Sequence, residues 1–247
     1  MTELAIIGGT GLTRLKGLEI ERREVMHTPY GEPSGAITYG KLCGKQVVFL
    51  PRHGYGHTIP PHMVNYRANL WCLKNKGISK VISICAVGGI REDMVPGSLI
   101  IPDQIIDYTW SRNHTFFEKD LTSVTHIDFT EPYCHEMRTA LISAARDAGV
   151  SVIESGTYGA SQGPRLESAA EINRMEGDGC HIVGMTGMPE TALARELELC
   201  YAACAVSANR AAGRGTEPIT MEMIERNIGT GLEQVGTILE QLIKSQG

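Results

Sequence analysis

The sequence predicts an α/β fold built around a largely buried sheet, and three observations carry that expectation. Short apolar, β-branched runs recur along the chain, each bounded by Gly, Pro or a charged residue. Amphipathic patterns of helical period lie between several of them. Glycine-rich stretches follow the runs, as they do where a strand hands over to a helix and frees backbone N–H groups for a ligand.

The elements follow in order. Leu-Ala-Ile-Ile at 4–7 is the first strand, ahead of Gly8 and Gly9, and Val-Val-Phe-Leu at 47–50 is the second, ahead of Pro51. The stretch 64–75 reads as the first helix, and the runs at 81–84 and 99–101 as two further strands. A helix over 131–148 places Met137, Leu141, Ala144, Ala145 and Ala148 on its apolar positions. Strand 181–184 leads into a helix over 189–199, whose Pro-Glu-Thr start suits a first turn. Strand 204–207 and a long amphipathic helix over 221–243 come last. Strands alternating with helices argue a sheet covered on both faces.

Composition narrows the function classes. The 247 residues are 42% hydrophobic and 21% charged, enough to bury a sizeable core in one domain. Lys+Arg 23 against Asp+Glu 28 gives a net charge of -5 with no basic run, which argues against a nucleic-acid partner. A small anion needs only one or two local cations. The seven cysteines (Cys43, Cys72, Cys85, Cys134, Cys180, Cys200 and Cys204) are odd in number and contain no CxxC. Zinc and disulfide frameworks are therefore disfavoured, and a reducing compartment fits best. The first residues lack a basic leader, and no stretch approaches the ~20 apolar residues of a membrane span. The expectation is a cytoplasmic protein.

Six stretches could carry chemistry. Ile6-Ile7-Gly8-Gly9-Thr10-Gly11-Leu12 lets a backbone approach a ligand, with Thr10 as a hydroxyl donor; a dinucleotide fingerprint would want glycine where Arg14 stands. Leu50-Pro51-Arg52-His53-Gly54 offers a guanidinium fork and an imidazole donor for an oxyanion. Ile84-Cys85-Ala86-Val87-Gly88-Gly89 reads, taken singly, as a turn. In Ser161-Gln162-Gly163-Pro164-Arg165-Leu166-Glu167, the glutamate is either functional or a first-turn acid beside a helix. In Gly184-Met185-Thr186-Gly187, Thr186 either donates to an anion or caps a helix, and Met185 either serves the site or fills a gap. Asn209, in Ser207-Ala208-Asn209-Arg210, either reads a ligand or makes an Asx turn.

Taken together and in order, IIGGTGL, LPRHG with HTIPPHMVNYRAN, ICAVGGI, PGSLIIPDQIID, EPYC, GPRLES and GMTGMPETALARE resemble the trimeric purine nucleoside phosphorylase and methylthioadenosine phosphorylase family over nearly the whole chain. The resemblance implies one domain over 1–247, with a central mixed β-sheet flanked by helices. It implies a glycosyltransferase that splits a purine nucleoside with inorganic phosphate as co-substrate and needs no metal or organic cofactor. By position it assigns phosphate to Thr10, Arg52, His53, Thr186 and the Cys85-Ala86 backbone, and the ribose to Met185. The base falls to Asn209, with Arg210 and Ala211 beside it and Leu166 next to Glu167. His126 resembles a residue that reaches the neighbouring subunit's site, so a homotrimer with shared sites is expected. Asn209, Arg52 and His53 are the expected catalytic residues.

Departures from methylthioadenosine phosphorylases point to the substrate. Those enzymes carry threonine where this chain has Cys85, and aspartates at the positions of Asn209 and Ala211. Adenine offers an amino donor at C6 and a bare acceptor at N1, whereas hypoxanthine offers O6 as acceptor and N1–H as donor. The Asn209 amide donates to O6 or N7 and Glu167 accepts from N1–H, so the pair suits a 6-oxopurine. Glu167 against adenine N1 would be a buried mismatch of roughly 1–3 kcal/mol. At the other end, Met221 stands near where 6-oxopurine enzymes place a histidine for the 5′-hydroxyl. A thioether suits a methylthio group, unless Met221 only packs in its helix. The expected substrate is S-methyl-5′-thioinosine; the alternatives are inosine or guanosine, methylthioadenosine, or a non-catalytic nucleoside sensor.

Overall fold

A computed structural model describes residues 3–12, 15–119 and 121–245. Among these, ten strands form one mixed sheet: β1 (Leu4–Gly8), β2 (Glu19–Glu24), β3 (Ile37–Leu42), β4 (Lys45–Pro51), β5 (Lys80–Gly89), β6 (Leu99–Ile100), β7 (Gln104–Asp107), β8 (Thr157–Ala160), β9 (Ile182–Gly184) and β10 (Cys200–Arg210). Their order is β2-β3-β4-β1-β5-β9-β8-β7, with β10 alongside β5 and pairing β6 in turn. The helices are α1 (Tyr66–Asn75), α2 (His135–Asp147), α3 (Ala169–Gly177), α4 (Gly187–Glu196) and α5 (Met221–Ser245).

The expected α/β architecture is present, and the alternation along β1 explains how it packs. Leu4 and Ile6 face one apolar cluster with Met137 and Leu141 of α2 and Val235 and Leu239 of α5. Ala5 and Ile7 face another with Leu70 and Leu73 of α1 and Leu193 of α4. A period of two therefore serves both faces at once, which is why the strand is apolar throughout.

Four strands were not read from the sequence. Glu19-Ile-Glu-Arg-Arg-Glu forms β2, exposed almost throughout, because antiparallel pairing to β3 supplies its backbone partners. Charge on an edge strand guards against further pairing, and it also erases the apolar alternation by which strands are recognised. The short β3, β7 and β8 are likewise decided by sheet neighbours. The helix expected beside Glu167 is α3, started by a capping box between Ser168 and Glu171.

Two expectations are corrected. Cys85 to Gly89 is strand rather than turn: β5 runs on to Gly89 because β10 pairs with it in parallel as far as Arg210. Cys134 and Cys200 form a disulfide, with Cα atoms 5.0 Å apart, although they are 66 residues apart in sequence. The backbone N–H of Cys134 donates to Tyr201 O at 2.8 Å, so packing of the start of α2 on β10 creates the proximity. No described helix is long and apolar enough to cross a membrane.

Candidate active site

The carboxyl ends of β1, β4, β5, β9 and β10 open into one cavity of about 350 Å³. β1 delivers Thr10 and β4 delivers Arg52 and His53, while Cys85 and Ala86 come from within β5. Met185 and Thr186 follow β9, Leu166 and Glu167 come from the loop before α3, and Met221 opens α5. Gly9 makes the close approach possible: a Cβ there would lie 2.5 Å from Ile84 O and 2.9 Å from Arg52 Nη1.

Arg52 does not present a free fork. It is completely buried; Nε donates to Glu190 Oε2 at 2.6 Å and Nη2 to Glu190 Oε1 at 2.8 Å. Nη2 also reaches Ser83 Oγ at 2.6 Å, and Nη1 donates to Ile84 O at 3.0 Å. One N–H on Nη1 remains for a ligand. Glu190 accepts further bonds from Ser83 Oγ and Tyr201 OH, each at 2.8 Å. Burial pushes the Glu190 carboxyl up, and Arg52 beside it more than offsets that, leaving it below its ordinary value. Sequence reasoning passed over Glu190, Ser83 and Tyr201. The signal was a charge at 190 on a helix whose neighbours Met188, Leu193 and Ala194 are buried.

His53 donates from Nδ1 to Ile59 O at 2.8 Å, since a carbonyl can only accept. Burial, reinforced by Arg52, pushes its pKa down to about 4. At neutral pH the ring is therefore uncharged and Nε2 is an acceptor, not the donor the sequence suggested. The unfolded imidazole titrates near 6.5, so as pH falls the unfolded chain takes up the proton first. Stability from neutral His53 is complete above 6.5 and is lost between 6.5 and about 4. The expected loss is on the order of 3 kcal/mol. Urea unfolding across that window should show it in the wild type and a flatter profile in His53→Asn; identical profiles would refute the assignment.

The Cys85 thiol is pushed by burial up to about 12, so it stays protonated. Thr186 is the residue before α4, yet its side chain makes no capping bond, which leaves the hydroxyl to the cavity. Its backbone N–H donates to Tyr158 OH at 3.4 Å.

At the other end, Asn209 follows a register shift between Ser207 and Asn209, where β10 bulges against β5. Its Nδ2 donates to Arg210 O at 2.6 Å, leaving one amide N–H and the carbonyl oxygen. Glu167 is held by the Ser161 hydroxyl. Met221 lines the cavity together with Ile219 and Ile224, and His57, Ile59 and Pro60 also face it. Three expected site residues lie elsewhere in this chain. Arg210 donates to Arg91 O at 3.3 Å, and Ala211 is packed among Ile90, Ile172 and Met175. Arg210 follows Asn209 in strand alternation and so faces the other side of the sheet. His126 is exposed, outside the cavity lining.

A family model described as Phosphorylase superfamily matches residues 3–244. The chain belongs to the phosphorylase superfamily. Within it, this phosphorylase is 51% identical over 245 residues to the "Probable S-methyl-5'-thioinosine phosphorylase" of Pseudomonas syringae pv. tomato, covering 99% of this chain and 100% of that one. It is 47% identical over 231 residues to the "6-oxopurine nucleoside phosphorylase" of Pyrococcus furiosus, covering 91% and 86%. The solved methylthioadenosine phosphorylase from Schistosoma mansoni in complex with adenine matches it with a TM-score of 0.95 at 32% identity, covering 100% of this chain and 92% of that one. As a phosphorylase the enzyme is a pentosyltransferase, with a mixed α/β fold shared with those relatives.

Proposed function

We propose that the enzyme cleaves S-methyl-5′-thioinosine with inorganic phosphate, releasing hypoxanthine and 5-methylthioribose 1-phosphate. The observation that carries this is one cavity with Asn209 and Glu167 at its base end and Met221, Ile219 and Ile224 beside them. An amide donor with a carboxylate acceptor suits a 6-oxopurine, and an apolar wall suits a methylthio group. The names of relatives such as the Pseudomonas syringae protein agree.

In this reading, phosphate sits against Thr10, Thr186, the Cys85-Ala86 backbone and the remaining N–H of Arg52, with a phosphate hydroxyl donating to Nε2 of His53. The glycosidic bond lengthens first, giving an oxocarbenium-like sugar between phosphate and the departing base. With its one remaining amide N–H, Asn209 stabilises charge growing on the base at N7 or O6, a contact stronger in the transition state than in the ground state. Phosphate then takes the anomeric carbon. We further propose a single domain over 1–247 acting in the cytoplasm as a homotrimer, with His126 reaching a neighbour's cavity. Exposure of His126 together with Leu121 and Val124 in the same segment supports that interface.

The second reading, phosphorolysis of inosine or guanosine, is favoured by the relative from Pyrococcus furiosus. Comparison of kcat/KM for methylthioinosine, methylthioadenosine, inosine and guanosine separates the two, with methylthioinosine expected highest. Met221→His should then improve inosine relative to methylthioinosine by about tenfold, since a donor replaces an apolar contact. An unchanged ratio removes Met221 from the 5′ pocket.

A further inference from the structure

The anion end of the cavity is poor in net charge. Glu190 cancels Arg52, His53 is neutral, and Thr10, Thr186 and Cys85 carry no charge. A second buried guanidinium bonds the carbonyls on either side of the Thr186 turn. Arg112 follows β7, is buried, and bonds only to neutral acceptors. Its Nε donates to Gln162 Oε1 at 3.1 Å, and its Nη1 to Met185 O at 2.8 Å and Met188 O at 2.6 Å. Its Nη2 donates to Gln162 O at 2.7 Å and Ser161 O at 3.3 Å, and Tyr66 OH lies 3.4 Å from Nη1. No ion pair to Arg112 occurs among the described residues, in contrast to the bidentate bond between Arg52 and Glu190.

The place of these bonds matters as much as their neutrality. The carbonyls of Met185 and Met188 bracket Thr186 and Gly187, the turn that puts Thr186 into the cavity. Ser161 and Gln162 belong to the loop that carries Glu167, and the Ser161 hydroxyl bonds Glu167 directly. One cation therefore ties the turn at the anion end to the loop at the base end. An unpaired charge in a low-dielectric surround acts over a longer range than a cancelled pair.

We propose that Arg112, rather than Arg52, supplies the net positive charge of the phosphate subsite. The inference rests on the reading of this cavity as a phosphate site. The test is to cancel the charge while keeping the clamp. Gln162→Glu is nearly isosteric, lies outside the cavity lining, and sets a carboxylate on Arg112 Nε. It should raise the phosphate KM about three- to tenfold while leaving the nucleoside KM within about twofold. Arg112→Gln should raise the phosphate KM at least as far, whereas Arg112→Lys, which keeps the charge and loses most of the clamp, should stay within about threefold of wild type.

An unchanged phosphate KM in Gln162→Glu overturns the inference, and so do equal increases in the Lys and Gln variants of Arg112. Should Arg112→Gln not fold, Gln162→Glu decides alone. Thermal stabilisation by phosphate without nucleoside separates the levels of failure. A wild-type protein that phosphate does not stabilise overturns the site reading and this inference with it. Wild type and Gln162→Glu stabilised equally overturn this inference only.

Discussion

Glu190→Gln should cost about 3–5 kcal/mol of folding stability, because it leaves a buried guanidinium without its counter-charge. The substitution hardly alters shape, and an amide can keep part of the bonding to Ser83 Oγ and Tyr201 OH, so the loss reports charge rather than packing. Arg52 has no access to solvent with which to compensate. Two further results should accompany it. Phosphate should stabilise the variant more than the wild type, since a bound anion offers Arg52 the charge that Glu190 supplied. Arg52→Met with Glu190→Met should lose less stability than Glu190→Gln alone, because an apolar pair strands no charge. Urea unfolding of the variants measures both, and a loss below about 1 kcal/mol in Glu190→Gln would contradict a buried, mutually dependent pair.

Asn209→Asp combined with Glu167→Ser should move selectivity from methylthioinosine toward methylthioadenosine by about 10- to 100-fold in the ratio of kcat/KM. On the proposed reading, Glu167 accepts where hypoxanthine donates and clashes with the bare N1 of adenine, and serine removes the clash. At 209 the geometry adds a reason for the acid to function. The Arg210 carbonyl lies 2.6 Å from Asn209 Nδ2, so a carboxylate there would face an acceptor and is favoured in its protonated form. A protonated carboxyl there gives its one proton to the Arg210 carbonyl, while its free carbonyl oxygen takes the adenine amino group. A ratio that does not move would remove both residues from base reading.

The site was legible unevenly. Thr10, Cys85, Met185, Thr186 and Asn209 each stand in a motif at the end of an apolar run and Glu167 in a Gly-Pro loop, and the cavity gathers all of them. Arg52 and His53 were legible as residues but not as chemistry. The fork of Arg52 is taken by a side chain 138 positions away, and the Nδ1 proton of His53 by a backbone carbonyl. Arg210 and Ala211 sit beside Asn209 in sequence, yet Arg210 bonds the Arg91 carbonyl and Ala211 packs among Ile90, Ile172 and Met175. Arg112 gave no signal because each of its partners is a carbonyl, a hydroxyl or an amide supplied by segments distant in sequence.

The sequence by itself determined the α/β class, the helices and most of the buried strands, because period and apolar run length are local consequences of burial on one or two faces. It also determined which residue types stand at the strand ends. Only the tertiary structure decided the edge strands, the Cys134–Cys200 pair, and above all which charges cancel. A charge's effect depends on what lies within a few ångströms, and for Arg52 and Arg112 those neighbours come from distant parts of the chain.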